Sequence, residues 1–272
     1  LFPYTTLFRS KEFSQKKFML VINGRIREEI RAAANVKKEI IMTGRSCKGA
    51  NYWLTTPPNN RFNTIIERSS FRALLKYSIG LPLMNGSHKC PDCGKNQDNY
   101  GHHALSCKVA SGSIDKHNSI VDNIYRRLKK AHITCSSEAY NPMKDNRERP
   151  GDIYMPAFDV YGDAFLDVSV ISICAESYFT RAAKGQLEGS KIRYAAKMKK
   201  YPDLGSRFKP LVIESTGGWH IYSFDYLKTV AEHIAIKSNM ITKDVLNELL
   251  TMVSFCLQRH QGTMLVRRCL GL

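Results

Sequence analysis

The chain has 272 residues, 43% of them hydrophobic, and carries 41 Lys and Arg against 24 Asp and Glu, a formal net charge of +17. That apolar content is enough for the core of one large or two small domains, and no apolar run is long enough to cross a bilayer, so a soluble chain without membrane partners is expected. The positive excess points to a polyanion such as nucleic acid. The eight cysteines, of which only Cys90, Cys93 and Cys107 cluster, exclude a disulfide framework in favour of a metal site in a reducing compartment.

Residues 1–10, LFPYTTLFRS, lack the basic start, apolar run and cleavage site of a secretory signal, and with Arg9 as their only charge they do not compose a transit peptide. All ten match one reading frame of a common short-read sequencing adapter, so they are read as an artefact, and more protein is expected upstream. Residues 11–85 read as a helical arm. Ile26, Ile30, Ala33, Ala34, Val36 and Ile40 set a helical period over 25–42, and the paired prolines of TTPPNNRFN break it. Ser70 then stands where it can cap a second helix with Phe71, Leu74, Leu75 and Ile79 on one face and Gly80 as its stop.

Residues 86–112 hold CPDCGKNQDNYGHHALSC, with Cys90 and Cys93 two residues apart, then His102 and Cys107, and His103 beside His102. Two thiolates on a tight knuckle, followed by an imidazole and a thiolate from the next turn, can close a tetrahedron around Zn²⁺. Gly94 frees the knuckle backbone to turn toward the ion. Spacing favours His102, but His103 lies a helical turn before Cys107 and serves as the alternative. Four protein ligands leave no position for water, so the zinc would be structural and would supply folding energy to a segment too small for its own core.

Residues 113–238 read as one α/β unit, followed by a C-terminal helical segment over 239–272. Ile114, His117, Val121, Ile124 and Leu128 predict a helix over 114–131. HITCSSEAY, DIYMPAF and AFLDVSVISICA predict three strands, with DVYGD as the turn between the last two. A basic helix is predicted over 183–201, a fourth strand at FKPLVIES, a tight turn at TGGW, and two helices from about 224 to 260.

Asp167 lies in an apolar strand between Leu166 and Val168, where an ionised carboxylate is expensive unless it meets a cation. Folding the strands about the loop near Asp159 brings Asp152 opposite it, and a hard divalent ion such as Mg²⁺ resolves the repulsion between the two. On the basic helix, Leu187, Lys191, Tyr194, Met198 and Tyr201 form the stripe that faces the sheet, so Lys191 occupies a position that packing would give to an apolar residue. Lys184, Arg193, Lys197, Lys199 and Lys200 read as outward charges.

Arg149-Pro150-x-Asp152, a strand turn, Asp167-x-Ser169 and a lysine displaced onto the next helix resemble the PD-(D/E)xK restriction-like endonucleases, whose core has the same order of helix, three strands, helix and strand. With the knuckle just upstream, residues 50–260 resemble the C-terminal region of site-specific non-LTR retrotransposon proteins, in which both follow a reverse transcriptase. YWLTTPPNN, GHHALSC, RPGD, FLDVSV and FKPLVIESTGGW carry the likeness. Gly151 interrupts the Pro-Asp pair, and Ser169 stands where the simplest motif has its lysine, so either Lys191 takes that role or the enzyme is inactive.

The resemblance implies a restriction-endonuclease-like α/β core with Mg²⁺ on Asp152 and Asp167. Lys191 would stabilise the developing charge or orient the water, Tyr194 would contact the same phosphate, and Glu138 or Glu214 would be further ligands. Arg149, His117 and the outward lysines would touch the DNA backbone. The expected function is metal-dependent nicking of target DNA, with a catalytically inactive zinc-knuckle module binding DNA or RNA as the alternative. The implied partners are DNA, the element's RNA and an upstream reverse transcriptase domain, and the implied location is nuclear or otherwise intracellular.

Overall fold

In the computed structural model the described residues are 36–86, 88–109, 112–137 and 150–271. The expectations for residues 1–10, for the start of the first helix, and for Glu138 and Arg149 lie outside the described residues. The arm contributes α1 (Val36–Arg45), α2 (Tyr52–Thr55) and α3 (Arg68–Ser78). Ser70 does not cap α3, because Glu67 does so from outside the helix, its carboxylate accepting from the backbone N–H groups of Ser69 and Ser70. The knuckle is a short hairpin, β1 (His88–Lys89) and β2 (Asn96–Gln97), followed by the single turn α4 (His102–Ser106).

The α/β part runs α5 (Gly112–Lys130), β3 (Ser136–Ser137), β4 (Ile153–Asp159), β5 (Gly162–Ile171), α6 (Glu176–Ala182), α7 (Glu188–Lys200), a 3-10 turn, β6 (Phe208–Glu214), α8 (Ile221–Ser238) and α9 (Thr242–Leu265). Its four strands lie in the order β3-β4-β5-β6, the first two pairs antiparallel and β5-β6 parallel. The fold is therefore mixed α/β, with a mixed sheet. Of the first expected strand, residues 132–137 are described, and among them only the two residues of β3 are strand. The basic helix expected over 183–201 is interrupted, since Gly185 (φ 156°) and Leu187 (φ 61°) leave the helical region and α7 begins only at Glu188.

Strand alternation sets the two sides of the sheet. Leu166 and Val168 of β5, with Leu211 and Ile213 of β6, pack with Ile120, Ile124 and Leu128 of α5 and Leu227 and Val230 of α8 in the main core. Asp167 and Ser169 point the other way, toward α7. Helix α9 is buried on most of its circumference. Val245, Leu249 and Val253 join the main core, while Phe255, Met264 and Leu265 join a second one with Trp53 and Leu74 from the arm. A helix apolar on several sides belongs inside a fold, and α9 is shared between the two cores. Among the described residues no helix is long and apolar enough to cross a membrane.

A candidate metal centre and a carboxylate-lysine cluster

The knuckle forms because the backbone folds back on itself at Gly94 (φ 69°), whose N–H donates to Cys90 O at 2.9 Å, while Cys90 N–H donates to Lys95 O at 2.8 Å. Asp98 holds α4 against it, accepting from the N–H groups of Tyr100, His102 and His103 at 2.8–3.0 Å. Cys90, Cys93, His103 and Cys107 thereby offer four donor atoms that all lie within 4.8 Å of one another. Cys90 Sγ is 3.9 Å from Cys107 Sγ, and Cys93 Sγ is 3.2 Å from His103 Nε2. Metal-ligand bonds of about 2.0–2.3 Å at a tetrahedral centre need donor separations of roughly 3.3–3.8 Å, so the set fits a metal such as zinc.

The imidazole in this set is that of His103, not His102. Positions four apart on a helix share a face, which brings His103 over Cys107. His102, one position away, turns into the arm's core. There it is 6% exposed, stacks on Tyr100 at 5.9 Å and meets the edge of Tyr77 at 5.7 Å, and burial lowers its pKa. Asp92, inside the knuckle, is held from far along the chain. Arg267 Nη2 donates to both its oxygens at 2.7 Å, and Arg268 Nε donates to Oδ2 at 2.5 Å. Arg268, 3% exposed, also donates to Ala104 O, and Gln97 Nε2 donates to Arg268 O at 2.8 Å.

On the sheet, the register that pairs Ile153 with Leu166 sets Asp152 opposite Asp167. Asp152 N–H donates to Leu166 O at 2.7 Å, and its Oδ2 accepts from Val168 N–H at 2.7 Å. The glycine that interrupts the Pro-Asp pair has a steric reason, because a Cβ at Gly151 would stand 2.8 Å from Leu166 O. His117 Nε2 lies 3.2 Å from Asp152 Oδ1, and this hydrogen bond is the main cause of its raised pKa.

Asp167 is 8% exposed, and the lysine that meets it is Lys197. The ammonium stands 2.7 Å from each carboxylate oxygen and hydrogen-bonds Oδ1. Burial raises the Asp167 pKa, and Asp152 adds to the rise, while Lys197 and Arg193 oppose it. Beside it, Arg193 Nε donates to Ser169 Oγ at 2.7 Å.

Lys191 therefore does not join the carboxylates. Its side chain is 57% exposed and bonds Glu188 at 2.5 Å. Tyr194 stacks on His220 instead, with ring centroids 4.1 Å apart. Glu214 is 2% exposed and accepts from Ser190 N–H at 3.1 Å, and burial pushes its pKa up to about 7. It pairs in register with Ile171, four residues beyond Asp167, roughly 13 Å along the strand and out of reach of a shared ion.

The reason α7 presents Lys197 rather than Lys191 is the polarity of the strand beneath it. Asp167 and Ser169 require polar partners, which Lys197 and Arg193 supply, and Ser190 on the same helical row donates its N–H to Glu214. Met198 and Tyr201 pack at its side with Phe165 and Phe208. The buried small pair Gly189-Ser190, which lets the helix approach the sheet, was the available sequence signal for this face. The sequence-predicted carboxylates thus come together, His117 and Lys197 join them, and Lys191, Tyr194 and Glu214 stand elsewhere. No described protein family and no curated protein matches the chain.

Proposed function

We propose that the chain is a Mg²⁺-dependent endonuclease of restriction-like architecture that nicks DNA, with Asp152 and Asp167 as the carboxylate ligands and Lys197 as the catalytic lysine. The observation that carries the reading is a buried carboxylate facing a second one across two strands, with a lysine from the covering helix on top. A side chain of Asp152 that is 24% exposed, beside the buried Asp167, suits an ion that keeps several waters and takes few protein ligands. When bound, the ion would supply an acidified water and neutralise charge on the scissile phosphate.

The residues of the chain do the rest. The backbone N–H of Val168 and the ring of His117 orient Asp152, and Arg193 orients Ser169 beside the cluster. Lys197 holds a fixed positive charge where negative charge grows on the phosphate oxygens in the transition state. The knuckle ion in this reading is a structural zinc. The sequence order of knuckle and then nuclease supports descent from a retrotransposon-type protein with a reverse transcriptase upstream.

A second reading, a catalytically inactive zinc-knuckle module that binds DNA or RNA, is favoured by the Lys197-Asp167 pair itself, which already neutralises the buried carboxylate. The test is nicking of supercoiled and oligonucleotide duplex DNA with and without Mg²⁺. Asp152→Ala and Asp167→Ala should abolish cleavage and keep salt-sensitive binding, and Lys197→Ala should slow cleavage by roughly two orders of magnitude. Lys191→Ala should not show the roughly two-order loss of Lys197→Ala, because its ammonium bonds Glu188 rather than Asp167. A wild-type chain that binds DNA and never cuts it hands the function to the second reading.

A further inference from the structure

The corner where α7 meets the first turn of α8 gathers rings and cations that the carboxylate cluster does not use. Tyr194 and His220 lie nearly parallel, 4.1 Å apart with an interplanar angle of 19°. Tyr222 closes on both, 5.7 Å from Tyr194 and 5.5 Å from His220, yet remains 63% exposed. Round the end of α8 from Tyr222, the buried ring of Phe224 carries the ammonium of Lys48 at 5.0 Å and that of Lys228 at 5.1 Å. Lys191, a turn before Tyr194, is close enough for its charge to add to burial in lowering the His220 pKa to about 4, so this ring is a neutral plane at physiological pH.

The electrostatics of the corner select an anion. Glu188 and Asp225 are each bonded by a lysine of the group, and among the described residues no carboxylate pairs with Lys48. Helix α8 spans 18 residues, has no acidic residue in its first turn and no side-chain cap, so its free N–H groups and the positive end of its dipole lie beside Tyr222. His220, at the N-cap and 4% exposed, leaves Nδ1 without a partner.

We propose that this corner is a stacking platform for single-stranded nucleic acid, on which an unpaired base lies against Tyr222, the adjoining phosphate meets Lys191 and the start of α8, and the strand continues round the helix end to Lys48. Flat rings interleaved with cations match a polymer of flat bases and anionic linkers. A duplex does not offer the same contact, because its base faces are covered except at ends. The platform stands on its own residues and does not depend on the nuclease reading. Tyr194 and Lys197 are three residues apart on α7, so a strand on the platform runs within about 4.5 Å of axial rise of the carboxylates.

The test compares a fluorescent oligothymidylate with an oligonucleotide of equal length whose bases are removed, so that phosphate charge is constant and only stacking differs. The wild-type chain should bind the intact oligomer roughly tenfold or more tightly than the abasic one. Tyr222→Ala should erase that preference and Tyr222→Phe should keep it, with unchanged far-UV spectra. Lys48→Ala should weaken both oligomers alike and reduce the salt slope. Asp167→Asn should keep the preference whether or not the chain cleaves DNA, which separates this inference from the nuclease reading. Equal affinity for intact and abasic strands, or a base preference that survives Tyr222→Ala, overturns the proposal, as does tighter binding of duplex unaffected by Tyr222→Ala.

Discussion

Replacing Lys197 by methionine keeps the apolar length of the side chain and removes its charge from Asp167. The two side chains are 16% and 11% exposed, and the ammonium sits 2.7 Å from the carboxylate oxygens. Removing one partner of a buried ion pair costs about 3–5 kcal/mol. Here Arg193 still faces Asp167, and the carboxyl can take up a proton, so the expected cost is about 2–3 kcal/mol. Lys191→Met removes a charge from an exposed pair with Glu188, a kind of contact that contributes little, and should leave the unfolding midpoint near that of wild type. Adding Asp167→Asn to Lys197→Met removes the stranded charge and should restore much of the loss. Urea unfolding followed by the fluorescence of Trp53 and Trp219, both buried, measures all four proteins. The reasoning fails if Lys191→Met costs as much as Lys197→Met, or if the double variant is no more stable than Lys197→Met alone, because α7 would then present a different face to the sheet.

Glu214 should make stability fall with rising pH. Its pKa rises from 4.5 in the unfolded chain to about 7 in the fold, so its favourable contribution is complete below about pH 4.5 and is lost as pH climbs through 7. Glu214→Gln keeps the acceptor for Ser190 N–H and cannot ionise, so by this shift it should gain about 3 kcal/mol over wild type at pH 8 and almost nothing at pH 4, read from unfolding curves at both values. In the knuckle, His103→Ala should lose stoichiometric zinc in metal analysis, whereas His102→Ala should keep the metal and lose stability instead. Retention of zinc by His103→Ala would reverse the ligand assignment.

The pairing of Asp152 with Asp167 was legible because an acidic residue inside an apolar strand is a local contradiction, and strand alternation with a short turn says what lies across from it. The lysine was not legible in the same way. A helix whose stripe can be drawn through Leu187 and Tyr194 or through Ser190 and Arg193 has no face of its own, and the polar strand beneath decided between them. The interruption at Gly185 and Leu187 also moved the helix start to Glu188, leaving Leu187 outside it. His102 and His103 have nearly equivalent spacings to the cysteines. What separates them is the aromatic pocket of Tyr77 and Tyr100, formed by residues whose proximity depends on the packing of the arm. Val121, Ile124 and Leu128 of α5 are buried as their periodicity predicts, but Ile114 is exposed, the β4-β5 register shifts between Met155 and Asp159 in a way that alternation alone does not give, and the sharing of α9 between two cores needs the tertiary structure.

The grip of Arg267 and Arg268 on Asp92 spans 175 and 176 residues of chain. All four donors of the knuckle have been synthesised once Cys107 emerges, but the guanidinium groups that fix its middle arrive only after the whole sheet and α9 have been translated. At about 5–20 residues per second that interval is roughly 10–30 s. During it Asp92 has neither arginine, and the nascent knuckle is held by Asp98 and by whatever metal its four donors bind. Once Arg268 enters its buried seat beside Ala104, the knuckle and the end of the chain's last helical stretch become mutually dependent, so the maturation of the knuckle is timed by the completion of the helix that closes the core.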